Sequence, residues 1–355
     1  MDMTEPVDVV YLWVNGDDPV WRKKRERALA QLGANQHGMA AYGNVEGRYR
    51  DNDELRYSLR ALARFFPDHG HVYLVTDAQT PSWLRAHPQI TVIDHRELLP
   101  PSALPTFDSG HIESYIHRIP NLSEHYFYCN DDVFFGAPVR LDDWFWPGGV
   151  YVGWSDEPEV SNEPLRMDAT ALENACRLSH QWLNAHPNSA GYNTPMLRTF
   201  AHSPRPMLKS VLFALEKLAP ELFAAVRSTV FRTWDKPTIV SDFVLRWSLA
   251  NGLAKARDYA HVHVSSGDLH GPSSLDQVMA QFGRLAFFCI NDTTDDAHPG
   301  DPRLNQVKAA LQGLLPTPSR FEKATPDSWE LSAPGNPARH ALKRHVGHHG
   351  QQAHH

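Results

Sequence analysis

Asn130, Asp131 and Asp132 follow directly on the apolar run Tyr126-Phe-Tyr-Cys129, and Val133-Phe-Phe135 follows them. The run reads as a strand covered on both faces, as in a parallel sheet. The polar triplet then falls at the carboxyl end of that strand, where open α/β sheets bind their ligands. Two adjacent carboxylates there are hard oxygen ligands suited to Mg2+ or Mn2+ holding a phosphate. The competing reading is a polar turn with a helix cap. A second apolar stretch, Phe287-Phe-Cys-Ile290, also ends in a polar pair, Asn291-Asp292. If both strands belong to one sheet, Asp131, Asp132, Asn291 and Asp292 converge on a single cation.

Transfer chemistry at such a site needs a base and a cationic group. His202, in Ala201-His-Ser-Pro-Arg-Pro206, sits in a proline-rigidified loop that is expected to precede a helix. A histidine near neutral pKa can deprotonate a hydroxyl; the alternative is a capping or surface histidine. Arg232, in Val230-Phe-Arg-Thr-Trp234, offers a planar donor fork for a phosphoryl group, or else makes an ordinary salt bridge.

These residues must be held by elements legible in the 355-residue chain. Val7 to Val14 is a strand closed by Asn15-Gly16-Asp17-Asp18-Pro19, and Pro19 to Leu32 a basic helix. After a Gly/Ala/Asn-rich loop over 33–49, Arg50-Asp-Asn-Asp-Glu54 opens a helix. Leu55, Leu59, Leu62 and Phe66 recur there at helical spacing, and Asp51, Asn52 or Asp53 is its cap. Arg56, Arg60 and Arg64 share one face. Strands over 71–76 and 90–94 follow, then a loop and a helix carrying Glu113, His117 and Arg118. Later come an aromatic hairpin over 144–154 and helical patterns over 169–184, 206–228, 240–252 and 303–315. Strands alternating with helices predict a doubly wound α/β fold with a mainly parallel sheet and a mostly helical insertion. From about Thr325 onward the composition predicts a disordered tail.

Composition narrows the class. A net charge of −7 leaves no basic surplus for a nucleic-acid partner. Three cysteines, none at Cys-x-x-Cys spacing, give neither a zinc motif nor a disulfide framework. No apolar run reaches the roughly 18 residues of a membrane span, and the acidic N-terminus lacks a signal-peptide pattern. The expected location is cytoplasmic, with peripheral attachment to the inner membrane face as the variant.

Four blocks, in order and spanning residues 7 to about 322, resemble the Stealth family of hexose-1-phosphate transferases. That family includes bacterial capsule polymerases and the catalytic part of the lysosomal-enzyme GlcNAc-1-phosphotransferase of animals. The blocks are Val7 to Pro19; Arg50 to Arg60, continuing through Ile116-His-Arg118 and Asn130-Asp-Asp-Val133; Ala201-His-Ser-Pro204 with Arg232; and Phe288-Cys-Ile-Asn-Asp292 with Leu315 to Glu322. The segment from Trp234 to Asp242 is longer than the family's usual spacing. The resemblance implies a GT-A-like (Rossmann-like) nucleotide-sugar core, a donor such as UDP-GlcNAc, a saccharide acceptor, and Mg2+ or Mn2+. By position it implies His202 and Arg232 as catalytic residues. It places Asp131, Asp132, Asn291 and Asp292 at the metal and diphosphate, and Asn15, Gly16, Asp17, Arg50, Asp53, Arg56, Arg60 and Asn130 at the nucleotide sugar. Residues 1–322 are then one catalytic domain, with a nucleotide-binding part over about 7–155 and 285–322 and a helical acceptor part over about 156–284. The expected reaction moves sugar-1-phosphate to a sugar hydroxyl and releases a nucleoside monophosphate. The alternatives are a metal-dependent glycosyltransferase releasing UDP, and a non-catalytic sugar-nucleotide binder.

Overall fold

The computed structural model describes residues 4–33, 38–186, 197–268 and 274–325. The expected tail and its histidines lie outside the described residues. In chain order, β1 (Asp8–Leu12) leads to α1 (Pro19–Leu32), α2 (Glu54–Phe65), β2 (Val72–Thr76), β3 (Ile90–Asp94), α3 (His95–Leu98) and α4 (Ser109–Glu113). Next come β4 (His125–Asn130), β5 (Val133–Phe135), β6 (Phe145–Trp146), β7 (Gly149–Val152) and α5 (Ala171–Ala185). β8 (Arg205–Leu208), α6 (Lys209–Leu218), α7 (Pro220–Val226), a π-helical turn (Ile239–Phe243) and α8 (Val244–Ala250) follow. The chain continues with β9 (Ala254–Ala256), β10 (His261–Ser265), α9 (Ser274–Gln281), β11 (Phe287–Asn291) and α10 (Pro302–Leu314).

The main sheet has the order β3-β2-β1-β4-β8, in which the first four strands are parallel and β8 is antiparallel to β4. Tyr126, Phe127, Tyr128 and Cys129 are all buried, as a strand covered on both faces requires. The strand order reverses between β1, whose earlier neighbour is β2, and β4. That reversal is the switch point at which an open α/β sheet leaves a crevice beyond its carboxyl ends.

The second Asn-Asp strand lies elsewhere. β11 belongs to a three-stranded sheet, β10-β11-β5, and pairs antiparallel with β5. The expectation of one shared sheet is therefore corrected. Asp131-Asp132 forms the link between β4 and β5, and Ile290 N donates to Asp132 O at 2.9 Å. The two polar ends thus meet across a sheet-to-sheet turn.

Three further local readings change. His202 precedes a strand, β8, and not a helix; β8 is an edge strand, the place where Pro206 costs no ladder bond. The helix over 206–228 is two helices, because Pro220 starts a new one as its first residue. Asp53 precedes α2 in left-handed backbone (φ 65°) without a side-chain cap bond. Glu54 Oε2 instead accepts from Asn52 N (2.6 Å), and Asp51 Oδ1 from Asp53 N (3.0 Å). α1 is capped as its sequence directs: Asp18 Oδ1 accepts from Val20 N and Trp21 N, with Pro19 first in the helix.

Candidate active site

A cavity of about 210 Å3 opens beyond β1 and β4, at the switch point. Trp13, Trp21, Tyr49 and Phe107 form an aromatic wall. Trp21 packs against Tyr49 (centroids 5.1 Å) and Phe107 (5.4 Å), and Phe107 stacks on Phe231 at 5.0 Å. Asn15, Gly16 and Asp17 are not among the residues lining this cavity. They brace its wall: Gly16 N donates to Tyr49 O at 2.7 Å, and a Cβ on Gly16 would stand 2.6 Å from that oxygen. Gln79 holds the Asn15 backbone from both sides (2.9 Å each).

The same cavity has acidic lining. Asp131, Asp132, Glu54, Asn130 and Asn291 line it, with Asp51 behind. Burial, then Asp132, Glu54 and Asp51, hold Asp131 well above the usual carboxylate range. Burial raises Asp132 and Asp51 to about 6 and Glu54 to about 8, with Asp51 adding to the rise at Glu54. Asp132 Oδ1 is buried without a hydrogen-bond partner. Buried carboxylates that repel one another, one with an orphaned oxygen, are a donor set suited to a hard divalent cation. Among the described residues, no three His, Cys, Asp or Glu side chains are already gathered at metal-ligand spacing. The chemistry of the set fits; a preformed cage is absent.

Asp292 falls out of that set. Its Oδ1 accepts from Thr294 N, Thr294 Oγ1 and Ser266 Oγ, and its Oδ2 from Arg50 (2.6 Å) and Asn52 (3.1 Å). A carboxylate with five donors has no lone pair to spare. Arg56 and Arg60 are likewise committed elsewhere. Both reach Glu322, at 2.7 Å from each Nε, and neither lines the cavity. Asp53 pairs with Lys308 at 2.8 Å. Asp53, Arg56 and Arg60 stand apart because the start of α2 presents them to α10 and the segment after it, whereas Asp292 lines the cavity with its oxygens already bonded. Arg50 does line the cavity, held by Asp292 and Thr294.

His202 and Arg232 lie at the same cavity. Both line this cavity and also a second one, of about 510 Å3, so they mark a shared boundary. Burial first, then His263, Arg205 and Arg232, lower His202 to about 3, and the imidazole is neutral at physiological pH. Arg232 Nη2 donates to Ser109 Oγ at 2.6 Å, and its Nε lies 3.6 Å from Asp108 Oδ1.

Three residues were missed in the sequence. Arg48 lines both cavities and donates from Nη2 to the same Ser109 Oγ at 2.9 Å. Glu113, 2% exposed, has its Oε1 2.7 Å from the Tyr128 hydroxyl, which is also 2.7 Å from Asn130 Oδ1. Arg205, opposite Tyr128 across β4 and β8, is buried with Nε and Nη1 unpartnered. The one available signal was Arg48's place two residues before Arg50; nothing in local spacing distinguishes Glu113 or Arg205.

Residues 5–33 match conserved region 1 of the Stealth proteins, and residues 48–151 match conserved region 2. Exopolysaccharide phosphotransferase CpsY of Mycobacterium leprae is 33% identical over 331 residues, 92% of this chain and 58% of that one. The chain carries two conserved regions of the Stealth proteins. Exopolysaccharide phosphotransferase SCO6023 of Streptomyces coelicolor is 35% identical over 91% of this chain and 53% of its own. The chain thus spans little more than half the length of these relatives. Among solved structures, a galactosyltransferase LgtC complex with donor and acceptor sugar analogs gives a TM-score of 0.42 at 9% identity. That alignment covers 92% of this chain and all of LgtC, and the α/β class stands on the strand order itself. The two matched regions contain Arg48, Glu113, Asp131 and Asp132, whereas His202, Arg232 and Asn291 lie beyond them.

Proposed function

We propose that this chain transfers a sugar-1-phosphate from a nucleotide-diphosphate sugar, such as UDP-GlcNAc, to a hydroxyl of a saccharide acceptor. The observation that carries the reading is the position of His202 and Arg232 on the boundary between two cavities. A donor in the first cavity and an acceptor in the second would react there. The aromatic wall of Trp13, Trp21, Tyr49 and Phe107 suits the nucleoside, and the acidic wall suits the diphosphate with its cation.

A divalent cation held by Asp131, Asp132 and Asn291, with Glu54 beside them, would offset charge on the diphosphate oxygens. Arg232 and Arg48, gathered on Ser109, supply donor forks for the phosphoryl oxygens as charge develops. His202 takes the proton of the acceptor hydroxyl. The acceptor oxygen bonds to the sugar-linked phosphorus, the bond from that phosphorus to the bridging oxygen breaks, and the nucleoside monophosphate leaves with the electron pair. The sugar's own C1–O bond is untouched. An anionic donor beside Arg48 and Arg232 also weakens the cationic field on His202, lifting its basicity when substrate is bound.

Among the described residues no helix is long and apolar enough to cross a membrane, and the reading places the chain in the cytoplasm or at the inner membrane face. Incubation with UDP-GlcNAc, Mg2+ and candidate saccharides is the test. UMP release is the expected product; UDP release identifies glycosyl transfer instead.

A further inference from the structure

The second cavity is polarised. At the end it shares with the first it carries Arg48, Arg232 and His202. Its lining also carries the exposed carboxylates Asp156, Glu157 and Glu159 and the part-buried Glu173, and among the described residues no lysine or further arginine lines it. Asp156 has one weak partner, His261, at 3.3 Å, and is itself 84% exposed. Tyr42 stands at the same cavity, 61% exposed, in left-handed backbone (φ 59°) that a tyrosine rarely adopts. That loop is tied to the site: Gly43 N donates to Ala40 O (2.8 Å), and Ala40 N to Arg232 O (2.9 Å). The backbone that aims Tyr42 is therefore hydrogen-bonded to the backbone that carries Arg232.

We infer that the second cavity is a subsite for an uncharged saccharide, with Tyr42 as its stacking face and the Asp156-Glu157-Glu159 wall as a filter against anionic sugars. This rests on the transfer reading above and specifies its acceptor. The physical logic is one of discrimination. The donor is a polyanion attracted to Arg48 and Arg232, and without a repulsive wall it would also enter the acceptor side. Carboxylates lining a cavity raise the free energy of an anion that comes within a Debye length, about 8 Å, while they accept hydrogen bonds from hydroxyl groups. An aromatic face in a concave polar cavity supplies the apolar contact a sugar ring needs.

Acceptor kinetics at saturating donor decide the matter. A neutral hexose oligosaccharide is expected to exceed its uronate-containing counterpart in kcat/KM by about tenfold at low ionic strength, and the gap to narrow at about 0.5 M salt. Glu157→Gln combined with Glu159→Gln narrows the gap by about threefold to tenfold, as loss of two partly screened charges should. Tyr42→Ala raises acceptor KM about tenfold, with donor KM within about twofold, the size of one lost stacking contact. Equal use of the two oligosaccharides, a preference for the uronate, or a Tyr42→Ala effect on donor KM alone overturns the inference. Binding of the two oligosaccharides measured by ligand-observed NMR reads the same preference without turnover. UDP in place of UMP overturns only the transfer reading, because the KM split and the binding preference would still locate the acceptor.

Discussion

Arg48 and Arg232 both donate to one hydroxyl, Ser109 Oγ, at 2.9 and 2.6 Å. Two guanidinium groups share one neutral acceptor, with Asp108 3.6 Å from Arg232 Nε, and burial together with the Arg232 charge lowers the Arg48 pKa. Like charges held this close call for an anion. Replacing either arginine by alanine is expected to lower kcat for monophosphate release by about a hundredfold to a thousandfold, the usual effect of removing one preorganised donor from a charge-developing site. The double replacement should cost much less than the product of the two, because they act on the same oxygens. A steady-state assay of the three variants checks it.

His202→Ala is expected to lower kcat by about a hundredfold to ten-thousandfold, the range for a positioned base. Donor affinity, read by calorimetry with a nucleotide sugar, should change little, since the histidine faces the acceptor side as well. The variant should also lose any acidic limb that His202 contributes to the pH profile. An unaltered rate would remove His202 from the mechanism.

The acidic wall gives a pH signature. A carboxylate with a raised folded pKa binds more protons folded than unfolded, so stability falls as pH rises through the window between the two values. For Glu54 that window runs from its ordinary value of 4.5 to about 8. His69, His117 and His202, with lowered pKa values, act oppositely below 6.5. Comparison with Glu54→Gln isolates the carboxylate. Without divalent ions the variant should melt above the wild type at about pH 8 and close to it at about pH 5, while Mg2+ should stabilise the wild type more. Differential scanning fluorimetry across pH, with and without chelator, measures both.

The Arg60–Glu322 pair predicts a loss of stability. Glu322, 1% exposed at its side chain, accepts from Arg56, Arg60 and Ser319 N. Breaking such a pair leaves a buried charge alone. Glu322→Ala or Arg60→Ala should therefore lower unfolding free energy by about 3–5 kcal/mol in urea denaturation. The double variant should lose little more, and the folded fraction of each should keep its donor KM. A donor KM raised in proportion to the arginines removed would return Arg56 and Arg60 to the nucleotide-sugar site.

β4 was legible because a strand buried on both faces is apolar throughout, and its polar end stands out against that run. The same pattern at Phe287 to Asn291 announced a strand but not its sheet. Sheet membership depends on which edges meet, and the antiparallel pairing of β11 with β5 is a contact across more than 150 residues. Arg56 and Arg60 read as a basic face because their helical spacing is local; their partner, Glu322, is more than 260 positions away.

Alone, the amino-acid order determined the alternation of strands and helices, the polar ends of β4 and β11, and the resemblance that singled out His202 and Arg232. Those are properties of short segments, set by burial pattern and backbone preference. Tertiary structure decided which polar residues face the crevice. It paired Asp292 with Arg50, paired Arg56 and Arg60 with Glu322, and brought Arg48 and Glu113 into the site. The physical reason is that a buried charge takes its role from its partners, and those partners are remote in the chain.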